Sequence, residues 1–224
     1  SSGHGSEDTI TDMIRCASES GLSLFGISDH GPATSSSAKP SYFQSLKLAD
    51  RDRFGIRVLY GAELNIINTS GDVDLDDEIL SALDYAIISI HPPIFKPYHD
   101  KDLSSAYIRA MDHPKVRFLG HIDDARFPVD FEYLLEIAKE KHVYPEINNG
   151  SLMPDAYRIN GQENCRRILS ICKKLDLPVL LSSDSHGKKN IGNMQYIFPL
   201  LEELDFPAHL VLNSDLSVLS EIIR

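Results

Sequence analysis

Six short apolar runs in this sequence each end in a residue able to bind a metal ion or to organise hydrogen bonds. Leu22–Ser28 runs into Asp29-His30, and Arg57–Ala62 into Glu63. Tyr85–Ile90 is followed by His91, and Val116–Gly120 by His121. Val143–Ile147 delivers Asn148-Asn149, and Val179–Ser183 delivers Asp184-Ser185-His186. Each residue alone has a plain structural explanation. A histidine after a strand is usually a cap or a satisfied core residue, Glu63 could be a rim ion-pair partner, and Asp184 could cap a helix. The same residue types at the end of six consecutive runs form a set. Imidazole and carboxylate without thiolate suit Zn²⁺, Mn²⁺ or Fe²⁺, so the chemistry expected is that of a divalent metal cluster.

Those runs alternate with amphipathic segments. Thr9 and Asp12 fit a capping box, ahead of an apolar stripe through Ile10, Met13, Ile14 and Ala17. Helices are also expected at about residues 102–112, from Asp130, over 161–175, through Met194–Leu204, and at the C-terminal stripe of Leu216, Leu219 and Ile222. Leu210–Leu212 reads as one more strand. Strands apolar on both faces, separated by helices, predict a parallel sheet covered by helices. The stretch 31–40 reads as a long βα loop and no linker divides the chain, so residues 1–224 are expected to form a single domain. In an α/β barrel the active site lies at the C-terminal edge of the strands, where all six sets of residues fall.

Composition narrows the function further. The chain has 224 residues, 42% of them apolar and 25% charged, enough for one real core. Its formal charge of −11 argues against a nucleic-acid binder held by a broad basic surface. No apolar run approaches the ~20 residues of a membrane span, and residues 1–9 are polar, unlike a secretory signal. Cys16, Cys165 and Cys172 suit a reducing compartment, and with it a cytoplasmic protein. Cys165 and Cys172 share one helical face with Ile168 and Leu169, which predicts buried thiols.

The motifs in order are Gly3-His4-Gly5, Ile27-Ser28-Asp29-His30-Gly31-Pro32, Gly61-Ala62-Glu63-Leu64-Asn65-Ile66, Ile88-Ser89-Ile90-His91, Gly120-His121, Glu146-Ile147-Asn148-Asn149 and Ser183-Asp184-Ser185-His186. Together they resemble the PHP (polymerase and histidinol phosphatase) superfamily, in its small stand-alone bacterial phosphatase branch. The resemblance implies a distorted (β/α)₇ TIM-like barrel with a trinuclear centre, commonly of zinc or manganese; for this chain two to three divalent ions are expected, with iron a further option. It implies Glu63 as a bridge between two ions, Asp184 at the first, His91 and His121 at the second, and His4, His30 and His186 at the third. The family opens with a His-x-His strand ahead of the His4 position. That segment is absent here, and the full-length protein is expected to carry it. Without it the barrel keeps an unpaired edge that invites association with a second copy.

The resemblance further implies hydrolysis of small phosphate monoesters with a metal-bound hydroxide as nucleophile, which would need no serine or cysteine nucleophile. Arg126, Arg158 and Lys188 fall on the same edge as candidate partners for the substrate phosphate, and Asn148 and Asn149 as donors that orient ligands or water. His99, just beyond His91, is a further candidate, whereas His113, His142 and His209 read as surface or capping residues. Three other readings stay open: a histidinol-phosphate phosphatase, an exonuclease-type activity, and a non-catalytic metal-binding domain.

Overall fold

The structure is a computed structural model that describes residues 8–35, 37–92, 94–95 and 101–223. His4 and His99 lie outside the described residues.

The first helix, α1 (Ile10–Glu19), forms where the capping box predicts it. Thr9 Oγ1 accepts the Asp12 N–H at 3.1 Å, the Asp12 carboxylate accepts the Thr9 N–H at 3.4 Å, and Met13, Ile14 and Ala17 face the core. Strand β1 (Leu24–His30) follows, then the short α2 (Pro40–Ser45) and the two-residue β2 (Asp52–Arg53). Next come β3 (Ile56–Asn65), α3 (Asp77–Leu80), β4 (Tyr85–Ser89), α4 (Ser104–Ala110) and β5 (Val116–Leu119). The remainder is α5 (Phe131–Glu140), β6 (Tyr144–Asn148), α6 (Gly161–Leu175), β7 (Leu180–Ser182), α7 (Ile197–Glu203) and α8 (Leu216–Ile222).

Six strands form one parallel sheet in the order β1-β3-β4-β5-β6-β7, and β2 pairs antiparallel with β3 at its start. All five residues of β4 are buried, as a strand covered on both faces requires. The outer layer is packed by helix residues such as Ile14, Leu134, Leu135, Ile168 and Leu169, all at zero exposure. A second cluster fills the inside of the curled sheet: Leu59, Tyr85, Ile87 and Phe118 from the strands, with Leu219 and Ile223 at its C-terminal end. Gly61 is needed here, because a Cβ would stand 2.8 Å from the Tyr85 ring.

The architecture is the expected distorted TIM-like barrel, left incomplete among the described residues. Among the described residues β1 pairs with β3 alone and β7 with β6 alone, and Val179, just ahead of β7, makes one isolated bridge to Val211. The expected strand at Leu210–Leu212 does not form. Two single-turn 3₁₀ segments, Ala208–Leu210 and Leu212–Ser214, take its place and reduce the pairing to that bridge. A three-residue apolar run is too short for periodicity to tell a strand from any other buried segment.

Register does the positioning. The β1–β3 ladder sets His30 directly opposite Glu63, and the β3–β4 ladder sets Asn65 opposite Ser89. On the far side, β6 sets Asn148 opposite Ser182. The strands therefore bring residues far apart in sequence to one edge before any loop contributes.

Candidate metal centre

Glu63 sits at the middle of the edge. It lies near the end of β3, and its Oε2 is 3.1 Å from His30 Nδ1. The other oxygen, Oε1, is 3.3 Å from His91 Nε2 and 3.0 Å from His121 Nε2, and it accepts the Ser89 hydroxyl at 2.8 Å. His30 and His91 stand edge to face with centroids 4.8 Å apart, and His91 and His121 with centroids 5.0 Å apart. The ligand atoms of His30, Glu63 and His91 all lie within 4.8 Å of one another.

Two residues leave strand geometry to reach this point. His121 and Asp184 each lie two residues beyond a strand end, and both take left-handed backbone, with φ of 30° and 47°. That conformation is strained for residues other than glycine, and such strain collects at functional sites because it re-aims a side chain. His121 is almost wholly buried. Asp184 is reached from three directions: Arg158 Nη2 donates to its Oδ2 at 3.0 Å, Asn148 Nδ2 donates to the same oxygen at 3.1 Å, and His186 Nε2 lies 3.4 Å from its Oδ1. The His186 ring stands 6.1 Å from that of His30.

The electrostatics favour ligand-ready protonation states. Burial opposes ionisation of Glu63, but the neighbouring His30, His121 and His91 outweigh it and hold the carboxyl well below its usual range. Burial likewise opposes ionisation of Asp184, and here His186 and Arg158 prevail and hold it low. His121 is pushed down to about 4, by burial first and by the positive charge of Arg158 second. It is thus a neutral imidazole near neutral pH. Two imidazole nitrogens, His91 Nε2 and His121 Nε2, approach to 3.2 Å while both face one carboxylate oxygen. Lone pairs so arranged are satisfied by a shared cation, so the donor set fits divalent ions bound through nitrogen and oxygen.

Beneath these groups lies Glu146, on β6. Its Oε2 accepts the backbone N–H of His121 at 2.9 Å and the Asn148 amide at 3.3 Å, and its Oε1 accepts the Ser182 hydroxyl at 2.5 Å. Burial, with the charge of Asp184 nearby, pushes Glu146 up to about 7. A cavity of about 280 Å³ runs from His30, Glu63 and Asp184 down to Phe25, Ile87 and Leu181.

Of the residues singled out from sequence, His30, Glu63, His91, His121, Asp184 and His186 are brought together. Asn148 touches Asp184 and Glu146, while Asn149 instead accepts the Tyr196 backbone N–H at 3.0 Å. Each candidate phosphate partner already holds a carboxylate. Arg158 joins Asp184 to the Ser151 hydroxyl, Arg126 forks onto Asp124 and lies 4.2 Å over the Tyr157 ring, and Lys188 pairs with Asp8 at 2.9 Å. His113 pairs with Asp77 and His209 with Asp176, at the surface. Sequence reading missed Asn65, Ser89 and Glu146 as parts of the site. The signal was present, since residues two apart on a strand share a face: Asn65 follows Glu63, Ser89 precedes His91 and Glu146 precedes Asn148 at that interval.

Known proteins resemble this chain in sequence and in fold. The family model described as PHP domain matches residues 1–150. A protein of Clostridium acetobutylicum named a probable phosphatase is 35% identical over 223 residues, covering 100% of this chain and 90% of its own. A probable phosphatase of Caldicellulosiruptor saccharolyticus is 35% identical, covering 100% of this chain and 92% of the relative. Among solved structures, the histidinol phosphate phosphatase of Lactococcus lactis, complexed with zinc, L-histidinol and phosphate, superposes with a TM-score of 0.62. It shares 19% identity and covers 92% of this chain and 91% of that one. A chain of an archaeal ribonuclease P with mature tRNA has a TM-score of 0.63 at 19% identity, covering 96% and 87%. At such identities these two likenesses concern the fold.

Proposed function

The chain belongs to the PHP domain family, and we propose that it is a metal-dependent phosphatase of small phosphate monoesters. The observation that carries the reading is the Glu63 carboxylate, within 3.3 Å of three different histidines at the C-terminal edge of the sheet. In this proposal His30, Glu63, His91, His121, Asp184 and His186 are ligands, with His4 a seventh outside the described residues. They hold two to three ions, zinc or manganese, with iron as a further option. The zinc in the Lactococcus lactis structure supports the first choice. Divalent ions at such a site activate water near neutral pH and offset charge on phosphoryl oxygens.

The chain's own groups set the conditions for that chemistry. Glu63 and Asp184, both held ionised, supply negative charge to bind cations. His121 is kept neutral, and the apolar floor of the cavity limits water below the reacting edge. Arg126, Arg158 and Lys188 are the proposed partners of the substrate phosphoryl group. A phosphate would have to share or displace Asp124, Asp184 or Asp8 respectively, and the site itself favours Arg158, which already reaches Asp184. Residues 1–224 act as one PHP domain in this reading, and the free cysteines support a reducing, cytoplasmic setting. No helix among the described residues is long and apolar enough to cross a membrane, and a charge of −11 supports a small substrate over nucleic acid.

The test is turnover of a panel of small phosphate monoesters, histidinol phosphate among them, by protein stripped of metal and then reloaded with zinc or manganese. Hydrolysis that appears on reloading and is lost to a chelator supports the proposal. A loaded protein that hydrolyses no member of the panel contradicts it.

A further inference from the structure

His91 meets the site with one face and a buried amide with the other. Its Nδ1 is 2.7 Å from Asn65 Oδ1, while its Nε2 faces Glu63 and His121. Asn65 is completely buried. Its amide could in principle present either oxygen or nitrogen to the histidine, and the neighbours decide which. Asn65 Nδ2 is 2.6 Å from Asp74 Oδ2, and a carboxylate only accepts, so the amide nitrogen must face Asp74. Thr34, whose hydroxyl can donate or accept, touches both ends of the amide and imposes no preference. The oxygen is therefore turned to His91, which must carry its proton on Nδ1 and leave the Nε2 lone pair facing the site.

Asp74 does more than orient an amide. Its Oδ1 accepts the Asn65 backbone N–H at 2.9 Å, and its Oδ2 accepts the Ala33 N–H at 2.9 Å. Ala33 lies in the loop that leaves β1 just after His30, and the carboxylate packs where a Cβ on Gly31 would stand. One side chain thus ties the exit of the His30 strand to the end of the Glu63 strand and, through Asn65, to His91.

We infer that Asp74 and Asn65 are positioning residues that fix His91 in the tautomer able to bind metal through Nε2. The inference rests on the proposed role of His91 as a ligand. The physical cause is general: a ligating imidazole is set by the hydrogen bond its other nitrogen makes, and disturbing that partner weakens metal binding.

The test uses the whole chain loaded with zinc. Nitrogen-15 NMR of the imidazole rings in the unaltered protein should find the His91 proton on Nδ1 and zinc on Nε2. A proton on Nε2, or zinc on Nδ1, overturns the inference without any substitution. Asn65→Leu removes the acceptor, and zinc retained after dialysis should fall by one ion per chain or its affinity weaken ~10–100-fold. Asn65→Asp combined with Asp74→Asn again turns an oxygen to His91 and lets an amide meet a carboxylate, but the new amide nitrogen then faces the Ala33 N–H, so the pair should recover part of that affinity and not all of it. Parent-like zinc binding by Asn65→Leu, or a loss as large in the double variant, overturns the inference. If the unaltered protein binds no zinc, the inference falls; if it binds neither zinc, manganese nor iron, the proposed function falls with it. If it binds zinc and Asn65→Leu binds it equally, only the positioning role falls.

Discussion

The side chain of Glu146 accepts the backbone N–H of His121 at 2.9 Å, so a buried carboxyl group holds the peptide that bends a proposed ligand out of its strand. His121 takes left-handed backbone at this point, and the hydrogen bond from its N–H compensates part of the strain. Glu146 also accepts from Ser182 and Asn148, which links three strand ends beneath the proposed metal site.

Glu146→Gln should be costly for that reason. Three donors face two carboxyl oxygens, and the amide would turn its own donor toward at least one of them. The expected loss is about 1–3 kcal/mol, read as a lower midpoint in denaturant at unchanged slope, together with weaker zinc binding. An unchanged midpoint and unchanged zinc affinity would make Glu146 a bystander.

Arg158→Lys tests the second support. The guanidinium reaches the Ser151 hydroxyl at 3.1 Å and Asp184 Oδ2 at 3.0 Å through separate nitrogens, which an ammonium cannot reproduce at one site. Loss of a charged hydrogen bond of about 1.5–3 kcal/mol corresponds to roughly ten- to hundredfold in zinc affinity or kcat/KM. Substitution by Lys with neither quantity changed would remove Arg158 from the account.

Much of the candidate site is legible in the sequence, but its supports are not. The capping box at Thr9 and the face shared by Cys165 and Cys172 involve residues near in sequence, so local geometry carries them. His30, Glu63, His91, His121 and Asp184 were readable because chemistry recurs at successive strand ends. The supports were not so visible. Asp74 meets Ala33, Arg158 meets Asp184 and Glu146 meets His121 across long stretches of chain, and only the register of the sheet and the path of the loops bring them into contact. The cations were visible as residue types but not as residues already holding Asp124, Asp184 and Asp8. Leu210–Leu212 misled because an apolar triplet carries no period.

Gly31→Ala probes the junction below His30. The new methyl group would collide with the Asp74 carboxylate, which holds Ala33 and Asn65. A small overpacking of this kind costs about 1–3 kcal/mol. A lower melting temperature of the metal-free protein, with weakened zinc binding on reloading, is the expected outcome. Melting and binding equal to the parent would mean that the loop yields freely.

The cysteines supply a pH-dependent prediction away from the site. Burial pushes Cys165 well above its ordinary 9.0 and Cys172 up to about 12, whereas Cys16 is partly exposed. A thiol-specific reagent at about pH 8 should modify Cys16 alone in the native protein, since the thiolate is the reactive form. On denaturation all three should react. The sign for stability follows from proton counts. In the unfolded chain Cys172 loses its proton from about 9, but in the folded protein it keeps it until about 12. Its contribution is therefore present below 9.0 and is lost as pH rises through that window. Rapid native modification of all three thiols would contradict the packing of α6.

The most direct measurement is the number of divalent ions retained per chain after dialysis, compared between the parent protein and Glu63→Ala. Glu63 is the carboxylate that three histidines share. At least two ions per chain are expected in the parent and a large loss in the variant, with melting of the metal-free proteins showing that both are folded. A parent chain that retains none, or a folded Glu63→Ala variant that retains as many as the parent, would contradict the proposed metal centre.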